Sequence, residues 1–149
     1  MTTAAFADSS ALVKLYADEA DAATVRRREL VVVSQLARVE VPAALWRKHR
    51  IGDISAGDAS LLVAAFEADW FGTEDDLARF VVVRVTPALL DEAARLIGTH
   101  GLRAYDGVQL ASARAAHDAA DGDLAFVAFD RGLCTAAARE GLPLLAERG

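Results

Sequence analysis

Four short apolar runs, at residues 4–7, 30–33, 80–85 and 124–129, are separated by longer stretches of helical periodicity. Runs this short and rich in Val, Phe and Ala do not make helices of their own and read as strands buried on both faces. Strands separated by helices pair in parallel through right-handed crossovers. The expected class is therefore α/β: a three-layer α/β/α domain with a central, mainly parallel sheet of four to five strands. The fifth strand would be residues 142–145, at an edge where Pro143 is tolerated.

Composition narrows the class further. With 149 residues, 54% of them hydrophobic and 26% charged, the chain reads as one folded domain, 1–149, with no repeat, linker or low-complexity tract. The single cysteine, Cys134, has no internal disulfide partner. No basic leader precedes an apolar stretch, and no apolar run is long enough to span a bilayer, so a soluble cytoplasmic protein is expected. A net charge of -6 excludes coating nucleic acid by bulk electrostatics. It leaves room for a local site, because basic residues cluster at 26–28 and 47–50.

Taken in order, the first run ends on Asp8, and Ser9 and Ser10 lead into helical spacing at Leu12, Leu15 and Tyr16. A short helix is expected from Asp18 to about Glu29. Ser34 or Gln35 then opens a helix with Leu36, Val39, Ala43 and Trp46 on one face. Leu61, Leu62, Ala65, Phe66 and Trp70 mark another. Thr86 and Pro87 supply a cap and a first-turn proline for a helix over residues 88–99. An alanine-rich helix begins near Asp106, and Arg131 opens a short last one just after Asp130.

Asp8, Glu40, Asp106 and Asp130 stand apart because each falls at a strand end or helix start, beside apolar sequence. In an open α/β sheet, ligands bind outside the carboxyl ends of the strands, where Asp8 is expected. Each acid also has a plain structural role. Asp8 and Asp130 would cap helices, Asp106 would complement a helix dipole, and Glu40 would pair with an arginine. Together they would repel and raise one another's pKa unless a cation neutralised them. Mg²⁺ or Mn²⁺ suits such an oxygen donor set, and metal-assisted phosphodiester hydrolysis is the reaction class that fits. His49, His100 and His117 share no ligand spacing, which argues against zinc.

Four segments also carry a resemblance: residues 8–16 around Asp8, 34–40 ending on Glu40, 104–113 around Asp106, and 129–133 around Asp130. In that order they resemble the acidic motifs of PIN-domain ribonucleases, and more narrowly the VapC-type toxins of toxin–antitoxin pairs. The resemblance implies a Mg²⁺- or Mn²⁺-dependent endoribonuclease acting on RNA, a homodimer, and inhibition by a cognate VapB-type antitoxin. It assigns Asp8 and Asp106 as principal metal ligands, with Glu40 and Asp130 completing the catalytic cluster. Ala128 stands where many members carry Ser or Thr, and Gly107 where alanine is common. The alternative is a PIN-like module that binds RNA or a protein without turnover. A receiver-type phosphohydrolase fits less well, lacking a second aspartate two residues beyond Asp8.

Overall fold

The structure is a computed structural model that describes residues 4–17 and 30–145. Its strands are β1 (Ala4–Ala7), β2 (Leu30–Ser34), β3 (Phe80–Val83) and β4 (Ala125–Val127). The helices are α1 (Ser9–Tyr16), α2 (Ala37–Arg50), α3 (Ala56–Phe71), α4 (Pro87–His100), α5 (Ala104–Ala119) and α6 (Arg131–Arg139). The helix expected over residues 18–29, and the basic cluster within it, lie outside the described residues.

The strands pair in the order β3-β2-β1-β4, and every pairing is parallel. Phe6 is in register with Val32 on one side and Phe126 on the other. Because strand side chains alternate between faces, the sheet builds two cores. On one face Ala5, Ala7, Val31 and Val33 meet Leu12 and Leu15 of α1, Val41 and Leu45 of α2, and Phe66 of α3. On the other, Phe6, Val32 and Phe126 meet Leu89 and Leu96 of α4, Leu110 of α5 and Leu133 of α6. Phe6 and Phe126 stack within that second core, centroids 6.0 Å apart. The expected three-layer α/β/α arrangement is therefore present, with a four-stranded sheet. Among the described residues no helix is long and apolar enough to cross a membrane.

Several local expectations are corrected. The fifth strand reduces to one bridge between Leu144 and Phe126. Phe126 donates its N–H to the Pro143 carbonyl at 2.7 Å, but Pro143 has no N–H with which to extend a ladder. Ser34 does not open α2: it remains in β2, buried and in register with Val83. Gln35 does not open it either, since its N–H bonds to the Val83 carbonyl and its Oε1 accepts from Val85 N–H. Helix α2 starts only at Ala37. It is also rotated from the expected phase. Ala37, Val41 and Leu45 are buried, while Val39 is 62% exposed. Both stripes repeat at helical spacing, and contact with α1 and α3 selects the smaller one.

Helices α4 and α5 pack closely where Gly107 begins the buried stripe of α5. A Cβ there would lie 2.4 Å from Ile97 Cγ1 and 3.2 Å from the Ala93 carbonyl. Alanine at this position would gain helix propensity of about 1 kcal/mol yet force two helices apart. Gly107→Ala is therefore expected to lower the thermal midpoint, with a net loss of about 1 kcal/mol. The double variant with Ile97→Ala should show a smaller coupling penalty than the two changes summed, measured by thermal unfolding.

Candidate active site

Asp8 directly follows β1, and its N–H bonds to the Val127 carbonyl of β4. Its extended backbone makes it the N-cap of α1, with Oδ1 accepting from Ala11 N–H at 2.9 Å and from Ser10 Oγ at 2.6 Å. Asp130 plays the same part for α6, its Oδ1 accepting from Leu133 N–H at 2.8 Å. Glu40 lies in the first turn of α2 and Asp106 in the first turn of α5. Each acid thus occupies the positive end of a helix, where a carboxylate is stabilised. All four line one cavity of about 390 Å³, together with Ser9, Ser10, Gln109, Arg47, Arg103 and Tyr105.

The structural roles weighed for the acids are therefore real for Asp8, Asp106 and Asp130, and they coexist with convergence. Glu40 differs, because its hydrogen-bond partners are not arginines. Its Oε1 accepts from Ser9 Oγ at 2.8 Å and from Gln109 Nε2 at 2.8 Å. Arginine instead meets Asp106, whose Oδ2 receives Arg103 Nε at 3.3 Å from an exposed side chain. The two serines divide their labour. Ser9 serves Glu40, whereas Ser10 joins Asp8 to the segment after β4 by accepting from Phe129 N–H at 3.2 Å.

Electrostatics single out Asp8. It is 4% exposed. Burial, and then the neighbouring Asp106 and Glu40, push its pKa from 3.8 to about 7 against the opposing bonds from Ser10 and Ala11. This is the environment that a divalent cation relieves, and the donors present are carboxylate oxygens, which suit a hard ion. In Asp8, Glu40 and Asp106 the protein's own bonds occupy one oxygen of each carboxylate. Among the described residues no three acids, histidines or cysteines form a ready metal cage. A hard ion such as Mg²⁺ needs only one or two carboxylates directly, with water completing its shell.

The remaining candidates stand elsewhere. His49 Nδ1 lies 3.1 Å from the Ile54 carbonyl, and His100 Nε2 lies 2.7 Å from Glu140. Trp70 packs against Phe66 and Phe80. Cys134 Sγ donates to the Ala128 carbonyl. Sequence reading flagged Arg47 only as part of the basic cluster at 47–50 and did not single out Gln109, Arg103 or Tyr105 as site residues. Of these three, Gln109 carried a signal, as a long amide in an otherwise small and apolar stretch of α5.

The parallel sheet and its carboxylate-lined pocket define the class: an α/β domain built around an acidic site at the ends of its strands. Residues 5–139 match the PIN domain family, and the chain belongs to it. PIN domains are generally nuclease modules and typically bind divalent metal ions. Among solved structures, the crystal structure of PAE2754 from Pyrobaculum aerophilum is similar, with a TM-score of 0.59 and 25% identity. The similarity covers 90% of this chain and 85% of that one. No functionally curated protein matches this chain.

The raised pKa of Asp8 has a defined sign. Between pH 3.8 and about 7 the native state holds a proton that the unfolded state has released, so metal-free stability falls as pH rises through that window. Asp8→Asn keeps the Oδ1 acceptor and removes the charge. Without divalent metal, it should be more stable than wild type at pH 8, on the order of 2 to 4 kcal/mol, and the two should converge near pH 4. Thermal melts in chelator across this range check the expectation.

Proposed function

We propose that this chain is a metal-dependent endoribonuclease and the toxin of a VapC-type toxin–antitoxin pair. The observation that carries the reading is the convergence of Asp8, Glu40, Asp106 and Asp130 on one pocket. Family membership supports hydrolysis of a phosphodiester bond, and the resemblance of the four motifs supports RNA as its substrate. Asp8 and Asp106 would be the principal ligands of Mg²⁺ or Mn²⁺, with Glu40 and Asp130 completing the set through water. When bound, the cation lowers the pKa of water and stabilises charge on a phosphoryl oxygen.

The chain's own residues supply the remaining functions. Ser10 and the Ala11 N–H hold Asp8, while Ser9 and Gln109 hold Glu40. A carboxylate so held is oriented to accept a proton from an attacking water. Arg47 and Arg103 at the pocket wall offer positive charge to RNA phosphates, which positions the strand without reading its sequence. Tyr105, 54% exposed at the same wall, offers a face on which an unpaired base can stack. Single-stranded or loop RNA is the substrate class consistent with these groups. The net charge of -6 complements a basic segment of a VapB-type antitoxin, and a homodimer in the cytoplasm completes the proposal.

Incubation of a mixed pool of structured RNAs with Mg²⁺, with Mn²⁺ and with chelator tests the reading. Wild type should cut at a few discrete sites only when metal is supplied. Asp8→Asn and Asp106→Asn should each lose about 100-fold or more of the rate while remaining folded, as expected when several kcal/mol of metal-assisted stabilisation is removed. Cleavage that survives both substitutions would overturn the assignment. A folded, metal-loaded chain that binds RNA without cutting it would instead be the non-catalytic module.

The partner proposal has its own measurement. Coexpression with the product of the adjacent reading frame should yield a stable complex and suppress cleavage. Light scattering of the isolated chain should give twice the monomer mass. A monodisperse monomer that ignores the neighbouring product would remove the toxin assignment and leave the nuclease one standing.

A further inference from the structure

We propose that Gln109 is a positioning residue for Glu40 and that, through Glu40, it sets the affinity of the pocket for a divalent cation. This rests on reading the acidic pocket as a cation site. Gln109 is 2% exposed and projects from α5. Its Nε2 donates to Ser9 Oγ at 2.9 Å and to Glu40 Oε1 at 2.8 Å, while Ser9 Oγ itself donates to Glu40 Oε1 at 2.8 Å. A carboxylate only accepts, so the amide nitrogen must be the group that faces Glu40. Three side chains from α1, α2 and α5 thus close a ring.

That ring leaves a cost behind. Gln109 Oε1 is the one buried side-chain polar atom among the described residues with no hydrogen-bond partner. Around it α5 buries Gly107, Leu110, Ala111 and Ala113. An apolar side chain of similar length would avoid the desolvation of Oε1 and would serve packing at least as well. The carboxamide is therefore retained for what its nitrogen does. Two donors on Glu40 Oε1 immobilise a long, otherwise mobile glutamate and leave Glu40 Oε2 outside the ring. Hydrogen bonds of this kind behind a ligating carboxylate typically govern 10- to 100-fold of metal affinity.

Mn²⁺ titration calorimetry on the full chain tests the inference, run beside thermal melts and the RNA cleavage assay. Gln109→Met should bind Mn²⁺ about 10-fold more weakly than wild type while melting at the same temperature or higher. Ser9→Ala, at a partly exposed position, should move affinity in the same direction by less, and decides the matter if the methionine variant does not fold. In a Glu40→Ala background, Gln109→Met should cause no further loss, because the group it positions is gone.

Wild-type affinity in both Gln109→Met and Ser9→Ala would overturn the proposal. So would a loss that persists undiminished without Glu40, since Gln109 would then be acting through packing. A wild-type chain that binds neither Mn²⁺ nor Mg²⁺ would remove this inference and the nuclease reading together. One that binds Mn²⁺ yet leaves the RNA pool intact would remove the nuclease reading alone, and the titrations would still decide the part played by Gln109.

Discussion

Holding several carboxylates together at the edge of a dry sheet is the constraint on which the site depends. Asp8 is almost wholly buried, and that burial, with smaller contributions from the neighbouring Asp106 and Glu40, raises its pKa to about 7. Left to Coulomb repulsion alone, such a cluster would disperse or neutralise itself. The fold counters this locally by giving each acid a helix start. Asp8 and Asp130 are caps, and Glu40 and Asp106 sit in first turns, so backbone N–H groups and dipole ends offset part of the charge. What the helix ends leave unbalanced is a negative field that a bound cation would neutralise.

The same arrangement joins stability to chemistry. Capping bonds that hold α1 and α6 in place also fix Asp8 and Asp130. Ser10 ties Asp8 to the backbone after β4, so two neighbouring strands share one acid's position. Ser9 and Gln109 connect three helices through Glu40. The hydrogen-bond partners that orient the acids are thus also parts of the scaffold. This places the acids on the rigid starts of helices rather than on loops, which suits a site needing precise geometry.

Much of this was legible in the chain itself. Parallel pairing and two covered faces followed from short apolar runs alternating with helices, and the sheet has that form. Asp8, Glu40, Asp106 and Asp130 were recognisable because each interrupts apolar sequence at an element boundary, and they share one pocket. The phase of α2 was not legible. Leu36, Val39, Ala43 and Trp46 repeat at helical spacing, but so do Ala37, Val41 and Leu45, and periodicity carries no preference between them. Gln109 was hidden for a related reason. An amide among alanines has no evident task until a carboxylate 69 residues earlier is brought within 2.8 Å.

The sequence by itself determined the layer order, the strand positions and the identity of the acids, because hydrophobic periodicity and local capping act over a few residues. The tertiary structure decided which face of α2 is buried, that residues 142–145 reduce to a single bridge, and how each acid is held. It also decided why Gly107 lacks a side chain, since Ile97 occupies that space. These outcomes depend on groups distant in the chain competing for the same volume or the same hydrogen bond. Such competition exists only once the sheet has brought them together.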